Sequence, residues 1–163
     1  AFNTSGGLGT LCETLEANLM PAFATVRAGA KHFGKDGGSI VLISSAAASL
    51  GMANHEAIAT AKGGIEALMR ASAATYATKG IRVNAVAPGL TATKLTERIT
   101  ENEGSRQISE SLQALNQIGQ PEHIARAIQW LLDPQQSWVT GQVIGVDGGL
   151  SRVQPRPRVA AGA

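Results

Sequence analysis

"IRVNAV", residues 81–86, decides the fold. The run is short, rich in β-branched residues and nearly continuous in hydrophobicity. A strand with one wet face alternates apolar and polar residues, whereas a strand covered on both faces, as in a parallel sheet, reads like this one. Two further runs share the pattern, "SIVLIS" at 39–44 and "QVIGVD" at 142–147. Helical stretches separate them. Residues 10–33 carry Leu11, Leu15, Leu19, Phe23 and Val26 at spacings of three to four, which predicts one helix. Residues 54–79 predict a second, with Asn54 as N-cap and Gly80 as the stop. A more polar helical stretch is expected over 94–116. Pro121 then opens a short helix, with Ile124, Ala127, Ile128 and Leu131 on one face, that ends at Asp133-Pro134. The order helix, strand, helix, strand, helices, strand implies parallel strands joined by right-handed crossovers, an α/β layer fold.

Length and charge narrow the function. The 163 residues fit one domain, expected over 1–150, followed by a Pro- and Arg-rich tail over 151–163 expected to be disordered. Three of the 14 basic residues, Arg152, Arg156 and Arg158, lie in that tail, so residues 1–150 carry 11 basic side chains against 12 acidic ones. With no basic surplus on the folded part and no aromatic–basic interleaving, nucleic acid is not an expected partner. No apolar run approaches the ~20 residues a membrane span needs. The single cysteine, Cys12, suits a reducing, cytoplasmic setting. Gly6, Gly7 and Gly9 lack the preceding strand that a phosphate-binding glycine loop requires, so "AFNTSGGLGTL" reads as a flexible lead-in.

Five segments occur in a specific order from about Leu11 to Leu150: "EANLM" with Asn18, "GSIVLISS" ending at Ser45, "AKGGIEAL" with Lys62, "GIRVNAVAPGLTATKLT", and the closing "GQVIGVDGGLS". No single segment is distinctive, but together the chain resembles the C-terminal two-thirds of a short-chain dehydrogenase/reductase. The resemblance implies a partial doubly wound, Rossmann-like parallel sheet with flanking helices. The family's first βαβ half, with its glycine-rich pyrophosphate loop and its NAD-or-NADP selector, has no counterpart in these residues. A doubly wound sheet binds its dinucleotide in the crevice between two halves, so this chain is expected to supply one wall of it.

Reduction of a carbonyl by a nicotinamide delivers hydride to carbon and leaves charge on oxygen, which a donor must hold and then protonate. In the family a tyrosine does this, helped by a serine, a lysine and an asparagine. The resemblance assigns the serine to Ser45 and the lysine, which also holds the nicotinamide ribose, to Lys62. It assigns the asparagine to Asn18, where Pro21 should disturb the helix and leave room for a water. Ser44 should point away from Ser45, because side chains alternate along a strand. The resemblance places Pro88, Gly89, Leu90 and Thr93 in the loop that closes over NAD or NADP, and it makes the stretch to about Asn116 a substrate lid. It also implies a homodimer or homotetramer through the helices at about 10–33 and 54–79, and a small-molecule substrate.

One position breaks the pattern. Thirteen residues after Ser45 and four before Lys62, the tyrosine's place holds Ile58, which has no proton to give. His55 would share a helix face with Ile58 and Lys62 at spacings of three and seven, which makes it the candidate substitute. Its place near a helix N-terminus disfavours the imidazolium form. Three readings stay open: an oxidoreductase with an incomplete tetrad, a non-catalytic homologue acting as a structural or oligomerising subunit, and an inactive fragment.

Overall fold

A computed structural model describes residues 7–155. Helix α1 (Gly7–His32) leads into strand β1 (Gly38–Ile43), helix α2 (Glu56–Tyr76) and strand β2 (Ile81–Pro88). Helices α3 (Glu97–Thr100), α4 (Glu103–Leu112) and α5 (Pro121–Leu132) follow, then strand β3 (Val143–Val146). The strands form a parallel sheet in the order β1-β2-β3. Ile43 sits opposite Val86 and Pro88 opposite Val146, so the carboxyl ends of all three strands lie along one edge. In open parallel sheets that edge is where ligands bind.

The three runs are strands, as their hydrophobicity predicts, but only β2 is buried nearly throughout. On β1, Ile40 and Leu42 are buried while Ile43 is exposed, and β3 has no buried residue. Both are outer strands among the described residues, so the expectation of burial on both faces holds for the central strand alone. Alternation sorts β1 and β2 between two helix layers. Ile40, Leu42, Ile81, Val83 and Ala85 pack with Ala22 and Val26 of α1 and Ile65, Met69 and Ala73 of α2. On the other face, Ser39 Oγ donates to Leu131 O (2.9 Å) and Arg82 donates to Asp133 O (3.2 Å), which holds α5 there. Asn84, fully buried in β2, donates to Val139 O at 2.9 Å and accepts from Gln142 N at 3.0 Å. Both ends of its amide are thereby satisfied, and the approach to β3 is tied to β2.

The helix boundaries correct three expectations. Asn54 is not the N-cap of α2: the helix starts at Glu56, His55 occupies the cap, and Asn54 sits at φ 62°, a left-handed conformation that Asn tolerates. The stretch 94–116 is not one helix, because Asn102 Oδ1 accepts from Ser105 N (2.9 Å) and caps a new helix, α4, just after α3 ends. Gly7 and Gly9 belong to the first turns of α1 and not to a loop, while Gly6 lies outside the described residues. The other signals hold. Gly80, at φ 69°, ends the helical stretch, and Pro121 opens α5 and Asp133 closes it. At Pro21, where a disturbance was expected, α1 is one continuous helix. The tail beyond residue 155 is outside the described residues.

The outer edge of β1 has no strand partner among the described residues. A cavity of 840 Å³ lies beside it, lined by Gly29, Phe33, Ser39, Ile40 and Val41 among others. The candidate chemistry is elsewhere, at the carboxyl edge of the sheet. No helix among the described residues is long and apolar enough to cross a membrane.

Candidate active site at the carboxyl edge of the sheet

Lys62 is the best-placed of the candidate residues. It lies in the second turn of α2, and its stem folds back so that Nζ donates to Ile43 O, the last carbonyl of β1, at 3.1 Å. Half-burial lowers its ammonium below the usual lysine range, because the charged form loses water there. An ammonium has three donors and Ile43 O takes one, so two remain for a ligand at the strand ends.

Ser45 lies two residues beyond that carbonyl. Its backbone is still extended (φ −162°, ψ 151°), and its Oγ accepts from Ala47 N at 3.2 Å, capping a short 3₁₀ turn over Ala46–Ala48. The cap uses the oxygen as acceptor and leaves the hydroxyl proton available to a substrate oxygen. Ser44 turns the other way, as alternation predicts. Its side chain is 2 % exposed and reaches α2, where Oγ donates to Glu66 Oε1 at 2.9 Å with Lys62 O at 3.4 Å.

His55 stands one turn before Ile58 as the N-cap of α2, its carbonyl accepting from Ala59 N at 2.7 Å. As N-cap it is outside the regular helix (φ −120°, ψ 16°), and its Nδ1 lies 2.8 Å from Ala53 O, which ties the ring backward. A carbonyl can only accept, so Nδ1 carries the proton. In the neutral ring Nε2 is then a lone pair, which can take a proton but has none to give. The tie of the ring to Ala53 O, and not its place along the helix, is what argues against the imidazole as the substitute acid.

Asn18 is half-buried on α1, which packs against α2 with Leu19 beside Gly64. Its amide donates to Thr14 O at 2.9 Å, within its own helix. The structure thus places Asn18 on a helix that packs against α2, with its amide donating to Thr14 O and not to Lys62.

The loop after β2 begins beside these groups. Gly89 N donates to Val146 O at 3.1 Å, and a Cβ on Gly89 would lie 2.8 Å from Asp147 Cα, so glycine is required for β2 and β3 to close on each other. Leu90 O accepts from Gly119 N at 3.0 Å. Thr93 is exposed, with its hydroxyl 3.2 Å from that of Thr96 and its N–H donating to Thr96 Oγ1 at 3.0 Å. Thr96, absent from the candidates read in the sequence, organises this loop: its hydroxyl also donates to Thr91 O at 2.6 Å. Asp147, 7 % exposed, accepts from Gly149 N and Ser151 N at 2.9 and 3.0 Å and from the Ser151 hydroxyl. Leu115 N donates to Gly148 O at 3.0 Å, which ties the end of the expected lid to this turn. The sequence signalled a turn at Asp147-Gly148-Gly149 but not what docks on it.

Comparison with known proteins agrees with the fold. A family described as enoyl-(acyl carrier protein) reductase matches residues 9–151. The 3-oxoacyl-(acyl-carrier-protein) reductase of Thermotoga maritima is 41% identical over 113 residues, 69% of this chain and 45% of that protein. The structure of 4-hydroxyisoleucine dehydrogenase complexed with NADH superposes with a TM-score of 0.86 at 27% identity, over 91% of this chain and 62% of that one. ElxO with NADP bound gives 0.74 at 27% identity, over 79% and 53%. The chain spans about half the length of the curated relatives it matches.

Proposed function

The chain belongs to the short-chain dehydrogenase/reductase family, and from that premise we propose that it carries the catalytic side of an oxidoreductase that moves hydride between NAD or NADP and an alcohol or carbonyl. The observation that carries this reading is the Lys62 ammonium on Ile43 O, 3.1 Å away at the carboxyl end of β1 and two residues from Ser45. The residues fit a nicotinamide nucleotide: a half-buried cation with two free donors stands at the edge where parallel sheets bind dinucleotides. Lys62 would hold the ribose, and Pro88, Gly89, Leu90 and Thr93 would cover the nicotinamide from the loop after β2. The bound nicotinamide supplies or takes up the hydride.

The chain's own groups do the rest. The Ser45 hydroxyl donates to the substrate oxygen and polarises the carbonyl, while the Lys62 charge favours the negative charge that develops nearby. Ile58 offers no proton, and a neutral His55 whose Nδ1–H donates to Ala53 O offers none from Nε2. Reduction here therefore runs without the phenol, with the alkoxide left by hydride transfer taking its proton from solvent water, and is slower by the factor a positioned general acid contributes, about 10²–10⁴. The test is titration of the protein with NADH and NADPH: saturable binding supports the reading, and none with either overturns it.

The second reading is a non-catalytic homologue that keeps the fold as an oligomerising subunit, and Ile58 favours it. Met20 and Phe23, 58% and 54% exposed on α1, give that helix an apolar outer face that would pack in a homodimer or homotetramer. Saturable cofactor binding with no turnover, in a protein that sediments as a dimer or tetramer, would select this reading.

A further inference from the structure

The end of β1 holds a second contact to α2 that the tetrad does not include. Ser44 N donates to Val86 O at 2.8 Å, so its backbone is fixed in the sheet ladder. Its buried Oγ donates to Glu66 Oε1 at 2.9 Å. Glu66 lies four residues after Lys62, one helical turn or ~6 Å along the axis, on the same face. Successive residues of one strand end thus grip successive turns of one helix: Ile43 O takes the Lys62 ammonium, and the Ser44 hydroxyl takes the Glu66 carboxylate.

We infer that Ser44 and Glu66 form a clasp that positions Lys62, and that Glu66 is a positioning residue for the proposed cofactor site. A single contact, Lys62 to Ile43 O, lets a long flexible side chain follow the helix if it slides or rolls. Two contacts a turn apart fix both movements. The clasp is strong for its size, because a hydroxyl donating to a carboxylate is charge-assisted. Glu66 has no better partner. Its side chain is 14% exposed, and Arg70 stands 3.8 Å away with 57% of its side chain in water, where an ion pair is worth little. Without the Ser44 hydroxyl, a partly buried carboxylate is left short of a donor and turns outward, and the Lys62 side chain loses the second hold on its seat while Ala61, Ile65 and Met69 keep the helix on the sheet. The importance of this position for Lys62 rests on the oxidoreductase reading; the geometry of the clasp does not.

The test reads Lys62 itself. The acetylation rate of Lys62 in the intact protein is followed against pH by mass spectrometry for wild type, Ser44→Ala, Glu66→Ala and Glu66→Gln. In both alanine variants the ammonium leaves its half-buried seat, and the labelling midpoint rises by about 0.5 pH units or more as hydration returns. Glu66→Gln keeps an acceptor for the Ser44 hydroxyl and stays at the wild-type midpoint. A purely structural contact would lower the unfolding midpoint without moving the Lys62 profile. Cooperatively folded Glu66→Ala with an unchanged profile overturns the inference. So does Glu66→Gln shifting as far as Glu66→Ala, because charge and not the hydrogen bond would then be acting. If Ser44→Ala fails to fold, the two Glu66 variants decide. The labelling needs no cofactor, so a protein that binds neither NADH nor NADPH still tests the clasp.

Discussion

Replacing Gly89 with alanine tests how tightly the proposed cofactor loop is built onto the sheet. The added Cβ would stand 2.8 Å from Asp147 Cα, 2.9 Å from Asp147 Cβ and 3.2 Å from Asp147 O. Carbon pairs rest at about 3.5–4.0 Å, so the methyl intrudes by roughly 0.6 Å or more on backbone and not on a flexible side-chain tip. Asp147 cannot easily recoil, because its carboxylate accepts from Gly149 N and Ser151 N at 2.9 and 3.0 Å. The strain falls on the Gly89 side, where the bond from Gly89 N to Val146 O must lengthen. Overpacking of this kind costs about 1–3 kcal/mol. For a chain of 163 residues that is a fall in Tm of about 2–4 °C per kcal/mol. Urea unfolding followed by circular dichroism reads the change, with Gly51→Ala as control, since nothing lies within 4 Å of a Cβ there. Equal stability losses in the two variants would refute the claim that Gly89 is required by close approach of β2 and β3.

Three further outcomes follow from the site. Ile58→Tyr restores a phenol one turn before Lys62 and raises kcat/KM for carbonyl reduction by about 10²–10⁴, with cofactor affinity little changed; steady-state kinetics check it. His55→Ala leaves kcat within about twofold, because a ring tied back to Ala53 O offers no proton from Nε2; a loss of a hundredfold would reinstate His55 as the acid. Lys62→Met alters the pH dependence of stability. Burial lowers the folded-state pKa of Lys62 below its unfolded value of 10.5, so between the two values the unfolded chain binds more protons and wild-type stability rises with pH. Urea midpoints measured from about pH 8 to 11 should therefore show wild type gaining on Lys62→Met as pH increases.

Much of this was legible in the sequence, and the failures have specific causes. Continuous apolar runs located all three strands, because burial in a sheet is written in the side chains themselves. Which strands are outermost was not written there, so Ile43 and β3 came out wetter than their hydrophobicity implied. Asn54 and His55 compete for one cap, and a residue that suits a cap also suits the left-handed turn before it. Asn102 carried the usual cap signal for α4 and was overlooked inside a polar helical pattern. Ser45, Lys62 and Gly89 lie at the sheet's carboxyl edge, as the family resemblance implied. Glu66 was missed for a different reason. Beside Lys62 in sequence it reads as an ordinary helix-surface charge, and its partner Ser44 lies 22 residues away on another element.

The central claim is that Lys62, held at the end of β1, handles a nicotinamide nucleotide. Fluorescence titration of NADH and NADPH into wild type and Lys62→Ala tests it most directly. The account predicts saturable binding of at least one nucleotide to wild type, weakened about tenfold or more when the charged donor is removed. Absence of binding to wild type, or equal affinity in a folded Lys62→Ala protein, would contradict it.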